Sequence, residues 1–113
     1  MKRTLPIIIA SLTFIGPSMA EETETIDPVQ VWTKNCKKCH GEEGKGDTKI
    51  GQKFGVRDYS DPAVQASFKD EEIVKATKEG VFDNGKKKMP PYGNKLTDEE
   101  IEALVPLIRS FAK

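Results

Sequence analysis

The sequence predicts an all-α domain of three to four helices, and three observations carry that prediction. Helix-start signals recur at Asp27-Pro28, Asp61-Pro62, Asp70-Glu71-Glu72 and Thr97-Asp98-Glu99-Glu100. The last of these opens an apolar stripe at Ile101, Leu104, Val105, Ile108 and Phe111, the spacing of one helix face. No segment alternates apolar and polar residues as a half-buried strand does.

Each element has its own reason. Asp27 is placed to cap a helix that begins at Pro28, where the missing N–H costs nothing. Val29, Trp32 and Cys36 then follow on one expected face. Gly41, Gly44 and Gly46 mark a loop. Asp61-Pro62 opens a short helix through about Ala66, and the acidic turn at Asp70 suits the positive end of another helix dipole. That helix stops at Gly80. Asp83 to Asn94, "DNGKKKMPPYGN", is expected to be irregular because of its glycines and prolines. Thr97 and Glu100 form a capping box, with Leu96 and Ile101 as a hydrophobic staple.

The first twenty residues differ from the rest. Lys2 and Arg3 precede an apolar run from Leu5 to Ile15, and Ser18-Met19-Ala20 supplies small residues at a cleavage position. This is the pattern of a secretory signal peptide. The run is shorter than the roughly 20 apolar residues a bilayer span needs. The expectation is a leader over residues 1–20, a single domain over residues 21–113, and a periplasmic protein without a membrane span after cleavage. The mature chain would have 93 residues, 30 of them apolar, and a net charge of −2. That is a thin supply for a core at a size where domains are marginal, so something non-protein is expected to complete the interior. The 18 basic and 18 acidic residues of the whole chain give no basic excess that would suggest nucleic acid.

Cys36 and Cys39 are the only cysteines and His40 the only histidine, gathered in "CKKCH". Four chemistries compete for such a cluster. A disulfide suits an oxidising compartment but leaves His40 unexplained. A dithiol redox motif belongs on a βαβ scaffold, which this pattern does not predict. A closed zinc site needs a fourth ligand, and no further Cys or His exists. Covalent haem uses all three residues, because C-x-x-C-H is the attachment signature of a c-type haem. Two thiols at this spacing can add to the two vinyl groups of one porphyrin edge, and a histidine next to the second thiol can reach the iron. Haem iron has a sixth position for a soft or nitrogen donor. Met89 is the one methionine that the mature chain would keep, and Pro90-Pro91 restrict the backbone beside it. Lys86, Lys87 and Lys88 are rival donors, and a core methionine is the plain alternative.

With these residues in view the chain resembles the small monohaem class I cytochromes c of the bacterial periplasm. "CHGEEGKG" is similar to that family's C-H-G-x-x-G-x-G, "MPPY" to its axial methionine followed by proline, and "LTDEEIEALVPLIRSF" to its C-terminal helix. The resemblance implies a cytochrome c fold that wraps one haem c, with the first and last helices crossing and Trp32 at the aromatic position of the first helix. It implies covalent attachment through two thioethers at Cys36 and Cys39, with His40 and Met89 on the iron. Three features depart from the family. No proline lies between Gly41 and Asp61 to offer its carbonyl to the ligand imidazole, so the acceptor is expected near Lys49 to Gly51. Leu107 stands where the family usually has an aromatic, and Pro106 falls inside the last helix and should kink it.

A six-coordinate iron leaves no place for substrate, so the expected work is one-electron transfer by a monomeric, non-enzymatic carrier. The donor would be a dehydrogenase or quinol-oxidising complex, and the acceptor an oxidase or similar protein. A sensor or catalyst in which Met89 leaves the iron is the alternative, and a secreted helical domain with a disulfide is a third reading. Charge is uneven: residues 33–59 and 81–95 each carry a net +3, and the other mature residues −8. In the resembled family the two haem-binding segments frame the exposed edge of the ring. The resemblance therefore implies Lys37, Lys38, Lys86, Lys87 and Lys88 around one docking edge, with a merely solvated lysine face as the plain alternative.

Overall fold

A computed structural model describes residues 4, 6–16 and 25–113. The expected cleavage site and the first residues of the expected domain, 21–24, lie outside the described residues. Residues 6–16 form neither helix nor strand and are exposed. No helix among the described residues is long and apolar enough to cross a membrane.

The domain holds six helices and one hairpin among the described residues: α1 Pro28–Asn35, α2 Lys37–His40, α3 Lys49–Phe54, α4 Pro62–Ala66, α5 Asp70–Glu79, β1 Val81–Asp83, β2 Lys86–Met89 and α6 Asp98–Ser110. The helix starts follow the sequence signals. Asp27 Oδ1 accepts from Val29 N at 3.0 Å and Gln30 N at 3.4 Å, and Asp61 Oδ1 accepts from Ala63 N at 2.9 Å. Both halves of the Thr97–Glu100 capping box are formed. These side chains satisfy N–H groups that have no partner within the helix.

Two elements differ from expectation. Residues 49–54 form α3, capped by Thr48 Oγ1 on Gly51 N, in a stretch with no periodic apolar signal. Much of the Asp83 to Asn94 segment is a hairpin, not an irregular loop. Asn84 (φ 50°) and Gly85 (φ 77°) make its two-residue turn, and Asp83 faces Lys86 across it. Two consecutive residues with positive φ match the right-handed twist of the flanking strands, and Asn-Gly is a pair that adopts this conformation readily.

α1 packs on α6. The core they share is small: Val31, Trp32 and Cys36 meet Leu104 and Ile108, and Leu96, Leu107 and Phe111 pack at its margin. The apolar stripe of α6 points inward as expected, with Ile101, Leu104 and Ile108 buried. On α1 the face is rotated. Val31 is buried and Val29 is 56% exposed, so the buried side runs from Val31 through Trp32 to Cys36. The helix α6 continues through exposed Pro106. Its aromatic contact with α1 comes from Phe111, whose ring centroid lies 5.0 Å from that of Trp32. A ring one turn beyond Leu107 thus supplies the missing aromatic.

Candidate functional site

The end of α1 and the single turn of α2 bring Cys36, Cys39 and His40 together. Cys36 N donates to Trp32 O at 2.8 Å and closes α1. His40 N then donates to Cys36 O at 2.9 Å, so the two thiols and the imidazole ride on one turn of backbone. The last carbonyls of such a turn have no helical partner, and here three carbonyls at its end find one nearby. Thr48 Oγ1 donates to Cys39 O at 2.9 Å, Gly46 N to His40 O at 2.8 Å, and Trp32 Nε1 to Gly41 O at 2.9 Å.

Gly51 lets α3 press against this turn. A Cβ there would lie 2.6 Å from Gly46 O and closer still to Cys39 O. Backbone cannot yield as a flexible side chain would, so Gly51→Ala should cost about 1–3 kcal/mol, the usual range for overpacking. Chemical denaturation would show this as a lowered midpoint with an unchanged slope.

The His40 ring sits between two aromatic rings. Trp32 lies 5.5 Å away, tilted by 44°, and Tyr59 lies 5.5 Å away, stacked within 18°. Burial pushes the imidazole down to about 4, so it is neutral at physiological pH and able to donate a lone pair to a metal. Its Nδ1 is buried without a hydrogen-bond partner. The acceptor expected near Lys49 to Gly51 is therefore not formed. Those residues belong to α3, and Gly51 O already accepts from Val56 N at 2.9 Å. The same burial, with the neighbouring Cys39 second, pushes the Cys36 thiol up to about 11. No disulfide joins Cys36 and Cys39.

Tyr59 is itself held from behind. Its N–H donates to Gly44 O at 2.8 Å and its carbonyl accepts from Gln65 Nε2 at 2.7 Å. Its ring meets Phe68 edge-on at 5.7 Å, under the Arg109 guanidinium. Arg109 also donates to Asp70 Oδ1, to Gln65 O and Oε1, and to Phe68 O, which joins α4, α5 and α6. Sequence reasoning missed Tyr59 and this cluster, since its partners are about forty residues apart.

Above His40 opens a cavity of about 490 Å³. Cys36, Cys39 and His40 line one side, and Met89 at the end of β2 lines it together with Pro90 and Tyr92 of the segment that follows. Ile73, Ala76, Leu104 and Ile108 add apolar wall from α5 and α6. The structure thus brings all four of the expected site residues to one cavity. Among the described residues no group of three or more His, Cys, Asp and Glu side chains is arranged to hold a bare metal ion. Two adjacent thiols, a neutral imidazole and a thioether around an apolar space fit a flat iron-bearing ring better than a bare ion.

A one-turn C-x-x-C-H helix beneath an apolar cavity, closed by a methionine-bearing strap, defines the class of c-type cytochrome domains. The family model described as "Cytochrome C oxidase, cbb3-type, subunit III" matches residues 23–108. The chain belongs to this family and is a small monohaem c-type cytochrome. It is similar to a solved structure described as KustC0563 c-type cytochrome, with 39% identity and a TM-score of 0.70 over 78% of this chain and 100% of that one. It is also similar to a tyrosine-to-phenylalanine mutant of that protein, with 38% identity and a TM-score of 0.67 over 76% of this chain and 99% of the other. The comparison with curated proteins finds no match.

Proposed function

We propose that the protein is an exported one-electron carrier that holds haem c through thioethers at Cys36 and Cys39, with His40 and Met89 as axial ligands. The observation that carries this reading is the cavity shared by these four residues. When bound, haem supplies an iron that cycles between two oxidation states. The protein's part is to hold and tune it. Trp32 and Tyr59 fix the plane of the His40 ring, and its neutrality keeps a lone pair ready at neutral pH. Met89, presented by β2 and stiffened by Pro90-Pro91, gives a soft thioether that favours the reduced state more than a second histidine would. The apolar wall excludes water and favours the state of lower charge. Residues 1–20 serve as the export leader and are removed, which places the domain of residues 21–113 in the periplasm, where haem attachment to C-x-x-C-H is expected. The family description supports an oxidase complex as redox partner.

A carrier with both axial positions filled should resist carbon monoxide at neutral pH. The test is the spectrum of the reduced protein under carbon monoxide. No shift is expected, and prompt formation of an adduct would favour a sensor or catalyst.

Charge suits a directed encounter. Lys37 and Lys38 are exposed on α2, and Lys86, Lys87 and Lys88 on β2, with Lys88 paired to Asp83 at 3.1 Å. The first turns of α5 and α6 carry acids instead. Lysines near the edge of the cavity would draw an acidic partner toward the haem. Replacing Lys86, Lys87 and Lys88 together by glutamate should slow oxidation by anionic ferricyanide roughly tenfold at low ionic strength, with the gap closing as salt is added. The haem spectrum should not move. Equal rates for the variant and the parent at low salt would reduce these lysines to solubilising charge.

A further inference from the structure

The Met89 segment reaches the cavity from a weakly anchored element. Phe82 to Lys87 are exposed and stand outside the cavity, which the hairpin lines only through Val81, Lys88 and Met89. Most of the hairpin therefore buries little that would hold it in place. Regions with few buried apolar contacts open at low free-energy cost. The strap that follows is tied to α5, on its own side of the cavity. Tyr92 N donates to Thr77 O at 2.8 Å and Gly93 N to Lys78 O at 3.1 Å. Neither bond spans to the wall that carries Cys36, Cys39 and His40.

One bond does. Tyr92 Oη donates to Asn35 O at 2.9 Å, across 57 residues of sequence. Asn35 ends α1 and directly precedes Cys36. A carbonyl in the last turn of a helix has no helical N–H to accept from, so this one is free for the phenol. The Asn35 side chain does not compete, because its Nδ2 donates to Val31 O at 2.9 Å. Partial burial raises the Tyr92 hydroxyl above its ordinary value, which keeps it a donor through the physiological range.

We propose that Tyr92 is a positioning residue for Met89: its hydroxyl latches the methionine strap to the cysteine-bearing end of α1 and slows the departure of the thioether from the iron. The proposal rests on the reading of Met89 as axial ligand. It assigns the latch to a phenol three residues beyond the ligand, and to a backbone carbonyl of the attachment segment.

Imidazole can enter the iron's sixth position only after Met89 has left, so the limiting rate of imidazole binding at saturation reports strap opening. The oxidised holoprotein, Tyr92→Phe and the control Thr97→Ala are compared. Phenylalanine keeps the ring and removes only the hydroxyl. Loss of one hydrogen bond should raise the limiting rate about two- to tenfold, with the starting spectrum unchanged. Thr97→Ala removes the α6 cap and weakens the fold by a comparable amount, yet should keep the parental rate. A Tyr92→Phe rate equal to the parent's, or an equal rise in Thr97→Ala, overturns the latch. A third variant separates this failure from failure of the ligand reading. If Met89→Ala binds imidazole no faster than the parent, Met89 does not guard the iron and the proposal falls with that assignment.

Discussion

Replacing both Cys36 and Cys39 with alanine is expected to leave a chain that keeps helical signal but has lost its fixed tertiary packing. The reason lies in the size of the core. Among the described residues only Val31, Trp32, Cys36, Ile101, Leu104 and Ile108 are buried apolar side chains. Beside them lies a cavity of about 490 Å³. Engineered apolar cavities already cost about 24 cal/mol per Å³ of residual volume. At that rate a void of this size would cost about 12 kcal/mol, comparable with the whole 5–15 kcal/mol by which domains are ordinarily stable. The chain without its haem should therefore collapse inward as a molten state, with far-UV circular dichroism retained and near-UV signal lost. Thermal unfolding followed at both wavelengths checks this. A cooperative transition at the parental temperature would show that the polypeptide packs its own interior.

Met89→Ala should have the second large effect, on the iron instead of the fold. Met89 is half-buried at the end of an exposed strand, so its loss removes little packing. Under the proposed ligation it removes the soft donor that favours reduced iron. The reduction potential should fall by on the order of a tenth of a volt or more, within the roughly 0.8 V over which axial ligands act. Lys86, Lys87 and Lys88 are close in sequence, and an amine that enters in place of sulfur would lower the potential further by favouring the oxidised state. Potentiometric titration of the two proteins measures the difference. An unchanged midpoint and spectrum would remove Met89 from the iron.

What the sequence made legible is what local chemistry encodes. The caps at Asp27, Asp61 and Thr97 act within three residues of themselves, and all formed. The C-x-x-C-H cluster and Met89 were visible as residue types, and the fold brings them to one cavity. Helix α3 and the hairpin were not expected. Neither has a periodic apolar face, because short elements around a large prosthetic group bury little of themselves. The Asn84-Gly85 pair was a usable signal for the hairpin, outweighed by the prolines and lysines that follow. Tyr59, Gln65, Arg109 and Tyr92 stayed hidden for another reason. Their partners lie far along the chain, as with Tyr92 and Asn35, and no local pattern marks such pairs. The lone Nδ1 of His40 belongs here too. The family's proline is missing, the acceptor expected instead near Lys49 to Gly51 falls in the unsignalled helix α3, and Gly51 O accepts from Val56 N.

The central claim is that one haem is held by Cys36, Cys39, His40 and Met89. The visible absorption spectrum of the oxidised and reduced protein, purified from cells with haem-maturation machinery, tests it most directly. The account predicts a low-spin c-type spectrum with sharp bands on reduction. It also predicts a weak red band in the oxidised form that marks methionine on iron and disappears in Met89→Ala. A protein without a Soret band, or a high-spin spectrum with no red band, would contradict it.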